Sequence, residues 1–295
     1  MNFVISSRIV GLEKMFESKD TAEYYNTTQH HYENWWNLGD TLSLHYGIWD
    51  ENTSNFAESL INTNQVLFDK GKIKDGDRVL DAGCGVGGAA FFIASQKEVK
   101  VTGITLSEKQ VALATKKALD NGMSDRVSFA EMDYTKTSFP DESFDVIWAC
   151  ESICHTVDKK DFTDEAFRLL KKGGRLILCD YYLITDHQKD KHNYIQKWLQ
   201  TWSITKITSS EFFKDKLEES GFKAIDTIDY TNAIRKSAWR MFLAGVFGAL
   251  PSIAYNISHP KASRFGKTHY KGCLYQYKAL AKNLWAWKVM YAEKP

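Results

Sequence analysis

The sequence predicts an α/β fold in which a parallel sheet is covered on both faces, and three observations predict it. Apolar runs of strand length alternate with helix-length segments from Arg78 to Tyr182. A glycine-rich turn, VLDAGCGVGG, joins the first of these runs to the first helix. A hydrophobic share of 43% over 295 residues supplies one sizeable core.

Taken in order, Glu13 to Leu67 reads as helix-like, with interruptions near Gly39 and Gly47 and the crowded aromatic stretch HHYENWW at 30–36. RVLDAG (78–83) is a short buried strand entering the glycine turn, AAFFIASQ (89–96) a helix, and VKVTGI (99–104) the second strand. SEKQVALATKKALDNG (107–122) is an amphipathic helix with Ser107 as N-cap and Gly122 as its stop. RVSFAEMD (126–133), FDVIWACES (144–152) and GRLILCDYY (174–182) are three further strands. Leu183 to Thr208 reads as a helical insertion carrying Trp198 and Trp202, after which a capped helix (209–221) and a strand (222–230) resume the alternation. A second insertion runs from Thr231 to about Gly272, followed by a short helix, YQYKALAK, and a final strand at 284–292. The expected architecture is a Rossmann-like, seven-stranded sheet ending in a β-hairpin. A helical cap is built from the N-terminus and two insertions. The corresponding segments are a lid at 1–70, core at 71–182, cap at 183–208, core at 209–230, cap at 231–272 and core at 273–295.

A formal net charge of +1 leaves no footprint for nucleic acid. Five cysteines without zinc spacing, most of them in or beside apolar runs, indicate reduced thiols and a cytoplasmic location, and no metal is expected. The N-terminus lacks a long apolar run and a small-residue cleavage site, so no signal peptide is read. The longest apolar stretch, Met241 to Tyr255, contains Pro251 and reads as too short to span a bilayer.

The glycine turn sets backbone N–H groups at a helix N-terminus, where a ligand can approach. Gly83, Gly85 and Gly88 also satisfy the dinucleotide pattern, so two other features must decide. Asp81 stands two residues before the first glycine, where a carboxylate holds a cationic amino-acid moiety and repels a pyrophosphate. The second strand ends Gly103-Ile104-Thr105-Leu106, without the acid that a nicotinamide site uses for its ribose.

With those residues in view, DAGCGVG resembles motif I of class I S-adenosyl-methionine-dependent methyltransferases. GITLSEKQ is similar to the corresponding segment in the branch containing sterol C-methyltransferases, tocopherol methyltransferases and cyclopropane fatty acid synthases. The resemblance covers residues 20–182 well and the closing segment moderately. It implies S-adenosyl-methionine as cofactor. Gly83 and Gly85 would line its methionine part, with Cys84 between them in the same site. Thr105, Leu106 and Gln110 would surround the ribose and adenine. Asp133 would meet the adenine amino group, with Met132 and Tyr134 beside the ring. The segment EYYNTTQHHYENWWNLGDTLSLHYGIW resembles the lid of that branch, with Tyr25 and Tyr46 at the tyrosines that close over the donor.

The fourth strand delivers WACESICHT to the carboxyl edge of the sheet, and Glu151, Ser152 and His155 match the E-S-x-x-H of the related families. Glu151 and His155 are the candidate catalytic residues, for steadying a cation or accepting a proton. The expected activity is methyl transfer to a small or lipid-like acceptor (isoprenoid, sterol or aromatic) in a hydrophobic capped pocket. The alternatives are methylene transfer to a lipid double bond in the manner of a cyclopropane synthase and, more distantly, a nicotinamide-dependent oxidoreductase. From Thr231 to Pro295 eleven Lys or Arg face a single acid, Glu293, around the run MFLAGVFGALPSIAY. That segregation predicts either an entrance for an acceptor with an anionic head or peripheral membrane contact through 231–272; a set of solvated helix faces is the alternative.

Overall fold

The computed structural model describes residues 9–11, 16, 19–26, 41–184, 189–258 and 263–295. β1 (Ile9–Gly11) is followed by a helix, α1, over residues 19–26. Residues 42–50 carry no helix or strand, and α2 (Phe56–Lys70) leads into β2 (Arg78–Ala82). α3 (Gly88–Gln96), β3 (Lys100–Thr105), α4 (Glu108–Asp120), β4 (Val127–Glu131) and β5 (Phe144–Cys150) continue the alternation. After a single 3-10 turn (Ile153–His155) come α5 (Lys159–Leu169), β6 (Leu170–Leu183), α6 (Tyr194–Thr201), β7 (Lys206–Thr208) and α7 (Ser210–Ser220). The chain closes with β8 (Lys223–Asp229), α8 (Arg235–Ser258), α9 (Arg264–Ala281) and β9 (Trp285–Glu293).

β4, β3, β2, β5 and β6 lie side by side in parallel. β9 runs antiparallel along β6 from Arg175 to Leu183, and β8 runs antiparallel to β9. These are the seven strands that the alternation predicts. β7 meets β6 at Tyr182–Thr208 and carries β1 antiparallel, which makes nine strands among the described residues. Three-residue strands are too short to show a period of two, so the sequence pattern does not reveal them.

Alternation along the central strands divides the core. Val79, Trp148, Ile177 and Val289 belong to one buried cluster, and Leu80, Ile147, Leu176 and Met290 to the other. The helix ends follow their capping residues. Asn55 accepts from Glu58 N, Ser107 from Gln110 N and Ser209 from Phe212 N, while Gly221 closes α7 in the left-handed conformation.

Three expectations need correction. The stretch before α2 is not continuous helix, because 42–50 is drawn out against α2; a Cβ on Gly47 would overlap Ser59. The terminal helix is not short but runs eighteen residues from Arg264, capped by Ser263. The apolar run is also longer than its proline implied. α8 spans 24 residues through Pro251 and is, by length and composition, long enough to cross a membrane. Pro251 is tolerated because the carbonyl it leaves without a helical donor belongs to Phe247, on an exposed turn that water reaches.

Asp77, just before β2, and Arg175, on β6, form an ion pair of 2.7 Å with both side chains largely buried. Asp77 also accepts from Lys74 N, and Arg175 also donates to Lys72 O. Replacing Asp77 with Ala strands the guanidinium in the interior. The expected cost is about 3 kcal/mol of unfolding free energy, read as a lower urea midpoint with an unchanged slope. A midpoint equal to that of the unmodified chain would show that the pair contributes nothing.

Candidate active site

A cavity opens where β2, β3 and β5 end, at the carboxyl edge of the sheet. At its first end β2 turns through Gly83 and Gly85, both with positive φ (+89 and +53). A Cβ on Gly83 would stand 2.4 Å from Ser152 Cβ, so no other residue fits there. At Gly85 the left-handed backbone is the constraint, and the space beside it belongs to the cavity. Asp81 is buried, and its Oδ2 has no hydrogen-bond partner. Burial pushes its carboxyl up to about 7. A cation placed beside that oxygen would restore the ionised form. Thr105 donates from its hydroxyl to Gln110 Oε1 (2.7 Å), which turns the amide nitrogen toward the glycine turn.

The other end is aromatic, walled by Tyr24, Tyr181, Trp202, Ile204 and Met241. Glu151 sits there just beyond β5 with φ +51, a strained value for a non-glycine residue. Its Oε1 accepts from Tyr46 N and Trp287 Nε1, each at 2.8 Å, and its Oε2 from Tyr181 Oη. Burial pushes its carboxyl up to about 8, although these three donors pull the other way. Because both donors on Oε1 are N–H groups that cannot accept, a proton on this carboxyl belongs on Oε2, facing Tyr181.

His155 closes the 3-10 turn after β5. Its Nδ1 lies 2.9 Å from Ser203 O, a carbonyl that only accepts, so Nδ1 carries the proton. Nε2 is thereby left with its lone pair, 3.1 Å from Tyr25 Oη. Burial lowers the ring to about 4 and keeps it neutral. α1 lies over the cavity, and its polar ties reach three elements: Asn26 accepts from Ser107 Oγ (2.6 Å), Tyr25 meets His155, and Tyr24 Oη lies 3.3 Å from His269 Nδ1 on α9.

The cavity thus brings together Asp81, Gly83, Cys84, Gly85, Thr105, Leu106, Gln110, Tyr134, Glu151, His155 and Tyr25 from the sequence reading. Three of its candidates lie outside the wall. Tyr46 is buried behind it, its hydroxyl given to Gln276 Oε1 (2.8 Å) and its backbone N–H to Glu151. Asp133 accepts at Oδ1 from Thr135 N and Oγ1, a turn cap. Met132 packs against the second core cluster. Residues 27–40 of the expected lid segment, with its aromatic stretch at 30–36, lie outside the described residues. Sequence reasoning missed Tyr24, Tyr181 and Met241 as wall residues; Tyr181 was legible only as part of a buried strand, and Met241 as part of an apolar run.

Residues 80–178 match the family model described as a methyltransferase domain. The 27-O-demethylrifamycin SV methyltransferase of Amycolatopsis mediterranei is 40% identical over 142 residues, covering 48% of this chain and 52% of that protein. A sterol 24-C-methyltransferase of Gibberella zeae is 28% identical over 253 residues, covering 84% of this chain and 66% of the relative. The chain therefore spans about half to two thirds of the length of these curated relatives. The crystal structure of the [4+2]-cyclase SpnF superposes with a TM-score of 0.78 at 22% identity, covering 97% of this chain and 98% of that one.

S-adenosyl-methionine is the cofactor of this family, and two features of the donor end fit it. The orphaned Asp81 oxygen is a partner for a cationic group, and the open face of the Gly85 turn admits a ligand to the backbone. Donor binding must then ionise Asp81. Affinity for S-adenosyl-homocysteine, followed by calorimetry, should be full above about pH 7. Below that it should weaken, approaching tenfold per unit toward about pH 5.5. Asp81→Asn should bind weakly and lose this dependence; the same slope in the variant would remove Asp81 from the donor site. Gly85→Val should abolish binding, since its side chain strains the backbone and fills the approach.

Proposed function

We propose that this chain, whose residues 80–178 match a methyltransferase domain, methylates a hydroxyl-bearing apolar molecule of the sterol, isoprenoid or polyketide kind. One observation carries the reading. A single cavity joins the orphaned Asp81 carboxylate at one end to an aromatic wall at the other, where two tyrosine hydroxyls are each backed by a base. When bound, S-adenosyl-methionine supplies an activated methyl group. Asp81 and the glycine turn hold the donor, and Thr105 with Gln110 line the strand end beside it. Tyr24, Trp202, Ile204 and Met241 exclude water and accept an apolar body. The named relatives are methyltransferases for rifamycin and sterol substrates, both bulky and largely apolar, which supports an acceptor of that kind.

A hydroxyl that accepts a methyl group must lose its proton, and the wall supplies a route. Tyr181 Oη takes the acceptor's proton while passing its own to Glu151 Oε2. This is the carboxylate oxygen that faces a hydroxyl, and its pKa near neutrality suits proton transfer. His155 stays neutral and holds the Tyr25 hydroxyl at the lid, so its part is to orient the acceptor. An amine acceptor is less well served. Both Glu151 oxygens are engaged by protein donors and Asp81 lies at the donor end, so no free anion among the described residues faces the aromatic chamber.

The SpnF structure has this fold with a different named activity, so the decisive readout is formation of S-adenosyl-homocysteine in the presence of sterols, prenylated phenols or hydroxylated macrolactones. Absence of product with every member of such a panel would defeat the proposal. Glu151→Gln should keep donor affinity and lower turnover about a hundredfold. Turnover of the unmodified chain should rise with pH through about 8, as Glu151 ionises, and the Gln variant should lose that limb. Tyr181→Phe should cost about as much, and the double variant little more, because the two act as one unit. Unmodified turnover in Glu151→Gln would make the residue structural.

A further inference from the structure

We propose that α8 docks the protein onto an anionic membrane surface, lying in the headgroup plane with its outer face in the lipid. The helix has two faces. Ser237, Ala238, Met241 and Gly245 turn inward; Met241 reaches the cavity, and Gly245 lies so close to α9 that a Cβ would stand 2.8 Å from Cys273 Cβ. The other face carries Trp239, Leu243, Val246, Phe247, Leu250, Ile253 and Ile257. At helical spacing these fall within roughly a third of the circumference. Phe247, Leu250 and Ile257 are 69%, 78% and 79% exposed. A continuous apolar stripe of this length is far more than isolated surface hydrophobes.

Charge selects the occupant. Arg235, Lys236 and Arg240 stand at the N-terminal end of the same stripe, with Lys236 over the Trp49 ring and Arg240 over Phe56. Lys271 and Lys278 are exposed on the adjoining α9. From Thr231 to Ala292 the chain contains no Asp or Glu. A second copy paired through α8 would bring these cations together with no acid on either helix to meet them. Anionic headgroups meet them, while the acyl region takes the stripe. The helix is long enough to cross a bilayer, but its inward face is committed to α9 and the cavity, so it lies on the surface. This docking does not depend on the identity of the methyl acceptor.

The test is sedimentation of the full chain with phosphatidylcholine vesicles, with and without about 30% phosphatidylglycerol, across a salt series, alongside sedimentation velocity without lipid. The proposal expects at least about tenfold stronger partitioning to the anionic vesicles, lost at high salt. Phe247→Glu with Leu250→Glu should abolish binding; both side chains are exposed, so the fold and the cavity should survive, checked by donor affinity. Arg235→Gln, Lys236→Gln and Arg240→Gln together should weaken binding at low salt. No partitioning to anionic vesicles overturns the proposal. So does a stable dimer that the Glu pair converts to monomer, which would assign the stripe to a second copy.

Discussion

The carboxylate of Glu151 is the constraint on which the rest of the site depends. It lies half-buried at the end of β5, and no single neighbouring segment satisfies it. Its three donors come from residue 46, before α2, from residue 181 on β6 and from residue 287 on β9. Segments from both ends of the chain and the middle of the sheet must therefore be in place before this charge is tolerable. A buried carboxylate lacking one of them would be neutralised or would cost several kcal/mol. The left-handed backbone at Glu151 adds a local cost that only such over-determination sustains. Closing the N-terminal segment onto the sheet and building the wall around Glu151 are thus one event. Tyr46 exemplifies this: its side chain points away from the cavity, yet its N–H holds the group that faces it.

The sheet was highly legible in the sequence and the aromatic wall of the cavity was not, for a physical reason. β2, β3, β5, β6 and β9 are buried on both faces, so Val79, Leu80, Ile147, Trp148, Leu176 and Ile177 form dense apolar runs bounded by turns. The donor end was legible for a related reason. Gly83 cannot carry a Cβ and Asp81 cannot be mistaken for a core residue, so both are conspicuous among aliphatics. The wall is different. Tyr24, Tyr181, Trp202 and Met241 are buried apolar residues, and nothing in an apolar residue's local sequence tells whether it faces a packed neighbour or a cavity. Asp133 shows the converse: an acid at a plausible distance from the glycine turn takes up two donors from Thr135 and stands off the cavity wall.

Neutrality is a recurring feature of the site. Asp81, Glu151 and His155 all lie in a medium that disfavours their charged forms, and each is moved by burial toward neutrality. For Asp81 the missing counter-charge is one a ligand can bring. For His155 the neutral state fixes a tautomer, with Ser203 O determining which nitrogen is bare. For Glu151 the outcome is a group whose ionisation falls in the working range. One low-dielectric cavity therefore holds a carboxylate oxygen without a partner, an imidazole in a fixed tautomer and a carboxyl paired with a tyrosine hydroxyl, and the partners rather than the residue types decide which is which.

The same logic extends outward through α8. A helix that closes a cavity needs one apolar face; a second, solvent-exposed apolar face adds nothing to folding and invites association. Its persistence beside a row of cations, in a segment stripped of acids, implies a contact that the isolated chain does not make. Met241 and Leu250 lie on opposite sides of one helix, the first against the acceptor chamber and the second in solvent. Level with Met241, where Trp239 and Leu243 stand on the outer face, whatever covers the stripe is about one helix diameter from the chamber. A bilayer under the stripe would hold an apolar acceptor close to the far side of that helix, so docking and acceptor chemistry are compatible even though neither requires the other.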